Sequence, residues 1–341
     1  MQVIVTGSLG YDYIMDFPGR FADRIMPDKI HKLSLSFLVD KLSKQFGGTG
    51  ANIAYTLKLL GVESLLLACA GEDFAEYKKH LERHGIVTTG ITEHQRVTTS
   101  SYFVITDQDD NQIGSFYVGA MKYARDLSIA AVADSGNLSD SRNRTPPPHF
   151  VVIAPTDPAA MKKYVKECRS HKLSYFYDPA FQIATFTPVE LKEGITGAAL
   201  LIGNDYEISL IEDRLGVSHE ELLAMTPVVI TTLGAKGSII ETRKEAIHIK
   251  SAKPKNTSDP TGAGDAFRAG FLAGYLKAAS SRSALERGLS GLTAHELLVC
   301  GQMASVAAVY TVEKYGTQTH TFTKPEFIKR YKENYGSTIT L

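Results

Sequence analysis

The sequence predicts an α/β protein in which a mostly parallel central sheet lies between two layers of helices, with a small additional β-sheet. Two observations support this prediction. Short apolar runs of strand length alternate with longer helical patterns along most of the 341 residues, which is the order expected of βαβ units. Two stretches, at about 13–45 and 98–118, instead contain strand patterns without intervening helices, and they predict the small sheet as a lid.

The strands of the main sheet are predicted from buried apolar runs, and the helices from the periodic segments between them. The predicted strands are 3–6, 65–70, 151–154, 173–177, 199–202 and 228–233, and the predicted helices are 51–60, 74–83, 159–170 and 206–215. In the lid, 34–39 is predicted as a strand, and 101–106 and 112–117 as a hairpin around the polar turn 107–111. The polar, proline-containing stretch 134–149 indicates a surface loop. A single domain is predicted over 1–341.

The composition argues against several classes of function. The chain is 43% apolar and 22% charged, and its 37 basic and 37 acidic residues give no net charge, so the basic excess typical of nucleic-acid binding is missing. No apolar run is long enough to predict a membrane span. The three cysteines lie far apart without a CxxC pair. Together with the lack of a signal-peptide pattern, this predicts reduced thiols and a cytoplasmic location.

The strongest chemical signal is the stretch Asp-Pro-Thr-Gly-Ala-Gly-Asp-Ala-Phe at 259–267. Pro260 ends the preceding element, the glycines allow a tight turn, and a helix of small residues follows. Free amides at a helix N-terminus bind anions. A carboxylate at this junction, Asp265, suits a base that takes a proton from a hydroxyl attacking the anion. The alternative is that Asp265 only caps the helix.

Two further clusters carry polar groups at helix starts. The stretch Gly-Gly-Thr-Gly-Ala-Asn at 47–52 is neither a P-loop nor a dinucleotide fingerprint. Its Asn52 offers both a donor and an acceptor to a hydroxyl group, although the cluster also fits a simple tight helix entry. Asn204 and Glu207 lie three residues apart and suit Mg²⁺ bound through water. The alternative for this pair is a capping box.

Taken together, these motifs resemble the ribokinase-like family of PfkB-type carbohydrate and nucleoside kinases. The resemblance runs from Gly7 to about Gln318 and includes Thr-Thr-Leu-Gly-Ala-Lys-Gly at 231–237. It implies the three-layer α/β/α ribokinase fold, ATP with Mg²⁺, and a monovalent cation such as K⁺. It assigns Asp265 as the catalytic base. The implied anion-hole amides are those of Gly262, Ala263 and Gly264, the implied ATP contacts are Asn204, Thr232, Gly234, Gly237 and Thr261, and the implied Mg²⁺ contacts are Asn204 and Glu207.

Strings in the N-terminal third indicate the acceptor. Thr-Gly-Ser at 6–8, Phe-Pro-Gly-Arg-Phe at 17–21 and the stretches 31–39 and 115–121 are most similar to bacterial adenosine kinases. This resemblance implies phosphorylation of a nucleoside 5′-hydroxyl in purine salvage, with adenosine as the expected acceptor and AMP as the product. The segment 180–185 departs from that subgroup, which tends to carry a polar or basic group there. The implied substrate contacts are Ser8, Asp12, Ser36, Gly48, Asn52, Tyr102, Phe116 and Gln182, and Asp12 is expected just after the first predicted strand.

Other functions remain open from the sequence. One is a ribokinase- or fructokinase-like sugar kinase, another is a nucleoside kinase of broad specificity, and a third is a non-catalytic binding protein on the same fold. Tyr102 and Phe116 distinguish a nucleoside from a free sugar as the acceptor, because they favour a nucleoside only if they face the pocket rather than form a cross-strand core pair. The presence of Asp265, Asn204 and Glu207 argues against a non-catalytic protein. Exposed strand edges are usually covered, so we predict a homodimer that pairs the two lid sheets. Arg268 is assigned no role.

Overall fold

A nine-stranded, mostly parallel sheet forms the centre of the computed structural model, which describes residues 2–26, 32, 34–109, 111–134, 149–279 and 288–341. Its strands are β1 (Gln2–Thr6), β4 (Ser64–Ala70), β5 (Ile91–Glu93), β8 (His149–Ile153), β9 (Ser174–Tyr177), β10 (Leu200–Asn204), β11 (Val229–Thr232), β12 (Ser238–Glu241) and β13 (Ala246–Ile249). The spatial order is β13-β12-β11-β10-β9-β8-β1-β4-β5. Only the β11–β12 and β12–β13 pairs are antiparallel.

Helices cover both faces of this sheet, as the sequence predicts. They are α1 (Thr49–Leu59), α2 (Ala75–Arg83), α3 (Ile129–Asp134), α4 (Pro158–Ser170), α5 (Pro188–Ile195), α6 (Asp205–Leu215), α7 (His219–Met225), α8 (Ala263–Ala278), α9 (Ala294–Val312) and α10 (Lys324–Tyr335). Within the described residues, no helix has the length and apolar character needed to cross a bilayer. The predicted helices each agree with the structure to within two residues at either end.

Alternation along the strands divides the core into two layers. In β1, Val3 and Val5 pack with the cluster that contains α1, α8 and α9, whereas Ile4 packs with the cluster that contains α4, α5 and α6. Successive strand residues point to opposite faces. Both faces of the inner strands are therefore buried, which explains why these strands are apolar at nearly every position.

A second sheet of four strands forms the lid. Its strands are β2 (Gly10–Asp16), β3 (Lys41–Gly47), β6 (Ser100–Thr106) and β7 (Gln112–Tyr117), in the order β3-β2-β6-β7. The predicted hairpin is confirmed, because β6 and β7 pair antiparallel with Tyr102 opposite Phe116. The β2–β6 pair is parallel.

The predicted strand at 34–39 is wrong. These residues are extended but unpaired, and the strand begins at Lys41, which is opposite Asp16. Leu38 is exposed, while Phe37 packs edge-on against Phe17 at a centroid distance of 5.0 Å. A single anchored aromatic side chain holds this segment, so its apolar pattern does not correspond to a sheet face. The predicted loop at 134–149 lies, apart from its two ends, outside the described residues.

Small residues let α8, which begins at the predicted anion loop, lie close to α9. A Cβ atom at Gly270 would come within 2.7 Å of the Cα of Ala304, and one at Gly274 within 2.9 Å of the Cα of Cys300. No side chain fits into these two gaps, so glycine is required at both positions. The close packing fixes the N-terminus of α8 relative to the core.

Candidate active site

The loop before α8 is held by one buried carboxylate. Oδ1 of Asp259 accepts from the amide of Thr261 at 2.9 Å, and Oδ2 accepts from the amide of Gly316 at 3.0 Å. Gly262 then takes a left-handed conformation with φ 78° and precedes the first residue of α8, which a residue with a side chain would adopt only with strain. Asp259 thus ties the loop to the segment that precedes α10.

Of the three amides predicted as the anion site at the start of α8, the structure leaves two without an acceptor. The amide of Ala263 donates to the carbonyl of Pro260 at 3.1 Å, so it is used inside the loop and is unavailable to an anion. The amides of Gly262 and Gly264 have no acceptor in the described part of the chain. Because the helix dipole adds partial positive charge at this end, these two amides are suited to a phosphoryl group.

Asp265 lies in the first turn of α8 and faces α1. Its Oδ2 accepts a hydrogen bond of 2.8 Å from Nδ2 of Asn52. Burial raises the pKa of Asp265 to about 6, although Arg268 and the hydrogen bond from Asn52 act in the opposite direction. A carboxylate with a pKa just below neutral pH is ionised at pH 7 and still basic enough to accept a proton. Asp265 is not the simple helix cap that the alternative interpretation required, since Gly262 is the N-cap residue.

Arg268, one turn further along α8, forms a buried ion pair with Asp178. Its Nη2 donates to Oδ1 of Asp178 at 2.9 Å, and its Nε contacts Oδ2. The Asp178 side chain is fully buried, and that of Arg268 is 11% exposed. Burial raises the pKa of Asp178 even though Arg268 opposes the shift. Sequence reasoning gave Arg268 no role, because the partner is 90 residues away.

The glycine cluster at 47–52 brings α1 to the same place. Gly48 has φ 93° and is the N-cap of α1, while Oγ of Ser8 accepts from the amide of Thr49 at 2.9 Å. Ser8 is buried, so in the structure its visible task is to hold the entrance of α1. Its contact with a nucleoside remains a prediction, as do those of Gly48 and Asn52.

The sequence predicts that Asp12 lies just after the first strand, but in the structure it lies within the lid sheet. It lies inside β2, directly opposite Tyr102 of β6, which is in turn opposite Phe116 of β7. The three side chains therefore form one row on one face of the lid. A Cβ atom at Gly47 would come within 2.1 Å of Oδ2 of Asp12, so the glycine makes room for this carboxylate.

The face with this row is directed toward the carboxylates of Asp265 and Asp259. Burial, followed by the charges of Asp265 and Asp259, raises the pKa of Asp12 to about 7. Burial and Asp12 also raise the pKa of Tyr102. Phe116 is 40% exposed and is not part of the core. Tyr102 and Phe116 consequently face the site, which is the arrangement that favours a nucleoside over a free sugar.

Gln182 was predicted to contact the substrate, but its side chain does not face the site. The neighbouring residue, Phe181, faces the site instead. The Nε2 of Gln182 donates to the carbonyl of Thr156 at 2.7 Å, and its Oε1 accepts from Thr185 at 2.9 Å. Phe181 is 53% exposed, and its ring lies 5.9 Å from that of Phe116. Phe181 could have been found from the sequence, because it places an aromatic side chain in the segment where a polar group was expected.

Ser36, another predicted substrate contact, is exposed in the unpaired segment 34–39 beside the lid. The structure does not place it against the other predicted residues, because the segment leaves the sheet at Asp40, whose amide donates to the carbonyl of Asp16. The assignment of Ser36 stays a prediction.

Three of the five predicted ATP residues line one cavity of about 530 Å³ next to the loop before α8, whereas Asn204 and Thr261 are not among the residues that line it. Thr232, Gly234 and Gly237 come from the end of β11 and the turn after it, while Pro260 and Gly264 contribute the anion loop. A Cβ atom at Gly237, which has φ 103°, would come within 2.0 Å of the carbonyl of Ile249. Apolar residues of α8 and α9, namely Phe267, Ala308, Val309 and Val312, complete the walls.

Asn204 and Glu207 form the capping box that sequence reasoning offered as the alternative. Oδ1 of Asn204 accepts from the amide of Glu207 at 2.8 Å, and Oε2 of Glu207 accepts from the amide of Asn204 at 2.8 Å. No cluster of three or more metal-ligating side chains occurs among the described residues. Glu207 retains a second oxygen, and its charge contributes to the raised pKa of Asp178. The pair therefore fits Mg²⁺ held through water beside a phosphate, but not a dedicated metal cage.

Comparison with known proteins agrees with this geometry. Residues 15–324 match the family model of the pfkB family carbohydrate kinases. The chain belongs to the PfkB family of carbohydrate kinases. It is accordingly a phosphotransferase with an alcohol group as acceptor, and the prediction of family and fold is confirmed.

The relatives of this PfkB-family chain include several nucleoside kinases. The nucleoside kinase of Methanothermobacter thermautotrophicus is 31% identical over 338 residues, which cover 98% of this chain and 97% of the relative. The solved structure of the Burkholderia thailandensis nucleoside kinase in complex with inosine is 27% identical, with a TM-score of 0.81 over 99% of this chain and 100% of that one. The nucleoside kinase of Methanocaldococcus jannaschii has a TM-score of 0.78 at 27% identity, over 97% of this chain and 98% of that one.

Proposed function

We propose that this PfkB-family enzyme transfers the γ-phosphoryl group of ATP to the 5′-hydroxyl of a nucleoside. The observation that carries the proposal is the position of Asp265, between the free amides of Gly262 and Gly264 on one side and Asn52 on the other. A base, an anion site and a hydroxyl-binding amide are thus within reach of one reacting centre. Phosphoryl transfer depends mainly on such positioning and on electrostatic stabilisation.

The proposed reaction uses each group once. Asp265 accepts the proton of the 5′-hydroxyl as that oxygen forms a bond to the γ-phosphorus, and the bond from this phosphorus to the bridging oxygen of ADP breaks. The amides of Gly262 and Gly264 stabilise the charge on the transferring group. Thr232, Gly234, Gly237 and Thr261 are assigned to ATP, and Asn204 and Glu207 to Mg²⁺ through water. Bound Mg²⁺ supplies charge neutralisation on the phosphates.

The lid supports a nucleoside rather than a free sugar as the acceptor. Asp12 can accept from two vicinal hydroxyls of a ribose, and Tyr102 and Phe116 lie beside it in the same row. Across the opening, Phe181 adds a third exposed ring. These rings recognise a base mainly by stacking, which tolerates differences between bases. Because a purine offers these rings a larger face than a pyrimidine does, we extend the expected acceptor from adenosine to purine nucleosides in general, a broader specificity.

An acceptor panel tests this proposal. With ATP and Mg²⁺, ADP formation should depend on an added nucleoside, and adenosine and inosine should give higher kcat/KM than ribose, fructose or cytidine. ADP release at the same rate without an acceptor, or a preference for ribose, would contradict the nucleoside assignment. Omitting K⁺ from the same assay tests the expected monovalent cation.

Replacing Phe181 with alanine should weaken nucleoside binding selectively. Loss of one stacking partner is worth about 1–3 kcal/mol, so KM for inosine should rise between about fivefold and a hundredfold while kcat changes little. The KM for ribose should stay near the wild-type value, because ribose carries no base. Phe181→Tyr, which keeps the ring, serves as the matched control. An equal change for ribose and inosine would show that Phe181 only supports the fold.

Activity and stability should respond to pH in opposite directions. The raised pKa values of Asp12 and Asp265, about 7 and about 6, lie above the ordinary aspartate value. As pH falls from 8 to 5, both groups take up protons, so kcat/KM should fall with an apparent pKa that belongs to the coupled pair. The folded state binds these protons more tightly than the unfolded state, so the contribution of the pair to stability should increase over the same range. Asp12→Asn should remove the upper part of the acid limb in a kcat/KM titration.

We also propose that two copies associate through their lids. On the face opposite Asp12, the lid exposes a set of apolar side chains that lie in paired rows: Leu42, Phe103, Ile113 and Tyr117. An exposed apolar patch of this kind usually marks an interaction surface. Sedimentation velocity should show a dimer at micromolar concentration, and Leu42→Glu should shift it to monomer. A monomeric wild type would refute this proposal.

A further inference from the structure

A chain of hydrogen bonds connects Asp265 to the backbone carbonyl of Gly47, which lies just before α1. Nδ2 of Asn52 donates to Oδ2 of Asp265 at 2.8 Å, and Nε2 of Gln318 donates to Oδ1 of Asn52 at 2.9 Å. The same nitrogen of Gln318 donates to Oη of Tyr77 at 2.5 Å, and Tyr77 donates to the carbonyl of Gly47 at 2.7 Å. Three segments far apart in sequence thus meet beneath the base.

The carbonyl at the end of this chain fixes the direction of every hydrogen bond in it. A backbone carbonyl can only accept, so Tyr77 must give it the hydroxyl hydrogen and can then only accept from Gln318. Gln318 must therefore present its amino group, and Asn52 must turn its oxygen toward Gln318. Burial raises the pKa of Tyr77 well above its ordinary value, so this hydroxyl keeps its hydrogen.

We propose that Gln318 and Tyr77 are positioning residues that lock the side-chain amide of Asn52 with its N–H directed at Asp265. The proposal rests on the proposed function in that Asp265 is taken as the base. With Oδ2 held in this way, Oδ1 of Asp265 makes no hydrogen bond within the described residues and is left for the acceptor hydroxyl. Gln318 is 3% exposed and Tyr77 is fully buried, so water does not replace them.

If the side-chain amide of Asn52 were free to rotate, Asp265 would be less able to act as a base. If the amide turned over, its oxygen would face Oδ2 of Asp265, and the repulsion would be relieved by protonating the carboxylate. The other charges around Asp265 are those of Arg268 and Asp178, which oppose each other, and of Asp12. None of these groups changes when Gln318 is replaced by a neutral side chain.

The test is a titration of Asp265 by ¹³C NMR in the full-length protein with labelled aspartate, without any substrate. In Gln318→Met, which removes the donor but keeps the length, the midpoint for Asp265 should move upward by about one pH unit. The kcat for inosine should fall roughly tenfold with KM changed less than about threefold, because the base and not the binding site is affected. Tyr77→Phe should produce a shift of the same sign and serves if Gln318→Met folds poorly.

Two controls separate positioning from a general effect on the fold. Gln302→Met removes a glutamine of α9 that bonds to Tyr331, and it should leave the midpoint of Asp265 unchanged. In an Asn52→Ala background, Gln318→Met should have no further effect on the midpoint. An unchanged midpoint in both Gln318→Met and Tyr77→Phe, or an equal shift in the Asn52→Ala background, would overturn the proposal. Because the titration needs no acceptor, its outcome is independent of which substrate the enzyme phosphorylates.

Discussion

Asp265→Asn should lower kcat for a nucleoside by about 10²–10⁴-fold, which is the usual contribution of a general base, while nucleoside binding persists. The amide has nearly the same shape as the carboxylate but cannot accept the proton of the 5′-hydroxyl. The hydrogen bond from Asn52 at 2.8 Å can be kept by the remaining oxygen of the substituted side chain. Steady-state kinetics with inosine and calorimetric binding of inosine to the variant measure the two effects separately.

A matched substitution controls for the loss of one negative charge. Asp213 is exposed on α6, away from the residues that line the site, and Asp213→Asn should retain wild-type kcat. The variant Asp265→Asn should also lose the acid limb assigned to the base in the pH profile of its residual activity. An unchanged kcat in Asp265→Asn would remove the base from the mechanism, even if the enzyme proved to be a nucleoside kinase.

Arg268→Met should lower the free energy of unfolding by about 3–5 kcal/mol, which is the usual effect of removing one partner of a buried ion pair. The change leaves Asp178, which is fully buried, without its counter-charge. It also removes the positive charge that lowers the pKa of Asp265, so the acid limb of kcat/KM should move to higher pH. Urea unfolding monitored by circular dichroism measures the first effect, and the pH profile measures the second.

The double variant Arg268→Met, Asp178→Leu distinguishes a lost charge pair from lost packing. It should recover part of the stability, because no unpaired charge remains in the core. Lys277→Met, at an exposed position near the end of the same helix, should change the unfolding free energy by less than about 0.5 kcal/mol. A double variant less stable than Arg268→Met itself would mean that the pair contributes mainly through packing and positioning.

Much of the fold could be predicted because burial leaves a local record in the sequence. The six inner strands of the main sheet, from β11 to β4 in spatial order, are buried on both faces, so each appears as an apolar run, and the helices between them carry a clear period. The strands β5, β12 and β13 at the edges of the sheet are less completely buried and were not predicted. The stretch 34–39 has an apolar pattern of the same kind, but it is held by Phe37 against Phe17 and Phe21. Nothing local distinguishes an anchored extended segment from a strand. The position of Asp12 was likewise misjudged by a few residues, because β2 follows β1 after a very short turn.

The candidate site was predicted where glycines and a carboxylate share one motif, and missed where the contacts are long-range. Asn52 donates a hydrogen bond to Asp265, and the charge of Asp265 helps raise the pKa of Asp12, while the roles of the three residues stay predictions. The amide of Ala263 was assigned to the anion although the carbonyl of Pro260, three residues before it, takes that hydrogen bond. Gln318 lies 266 residues from its partner Asn52, so no spacing rule could have indicated it. Gln182 was predicted to face the substrate in place of Phe181, because a polar residue was expected to face a polar substrate.

The most direct test of the account is to identify the product formed from ATP, Mg²⁺ and inosine by ³¹P NMR and mass spectrometry. We expect inosine 5′-monophosphate and ADP in equal amounts, with no ADP formed when inosine is omitted and a sharply reduced yield for Asp265→Asn. Phosphate on a hydroxyl other than the 5′-hydroxyl, or transfer to free ribose but not to inosine, would contradict the assignment of this enzyme as a nucleoside kinase.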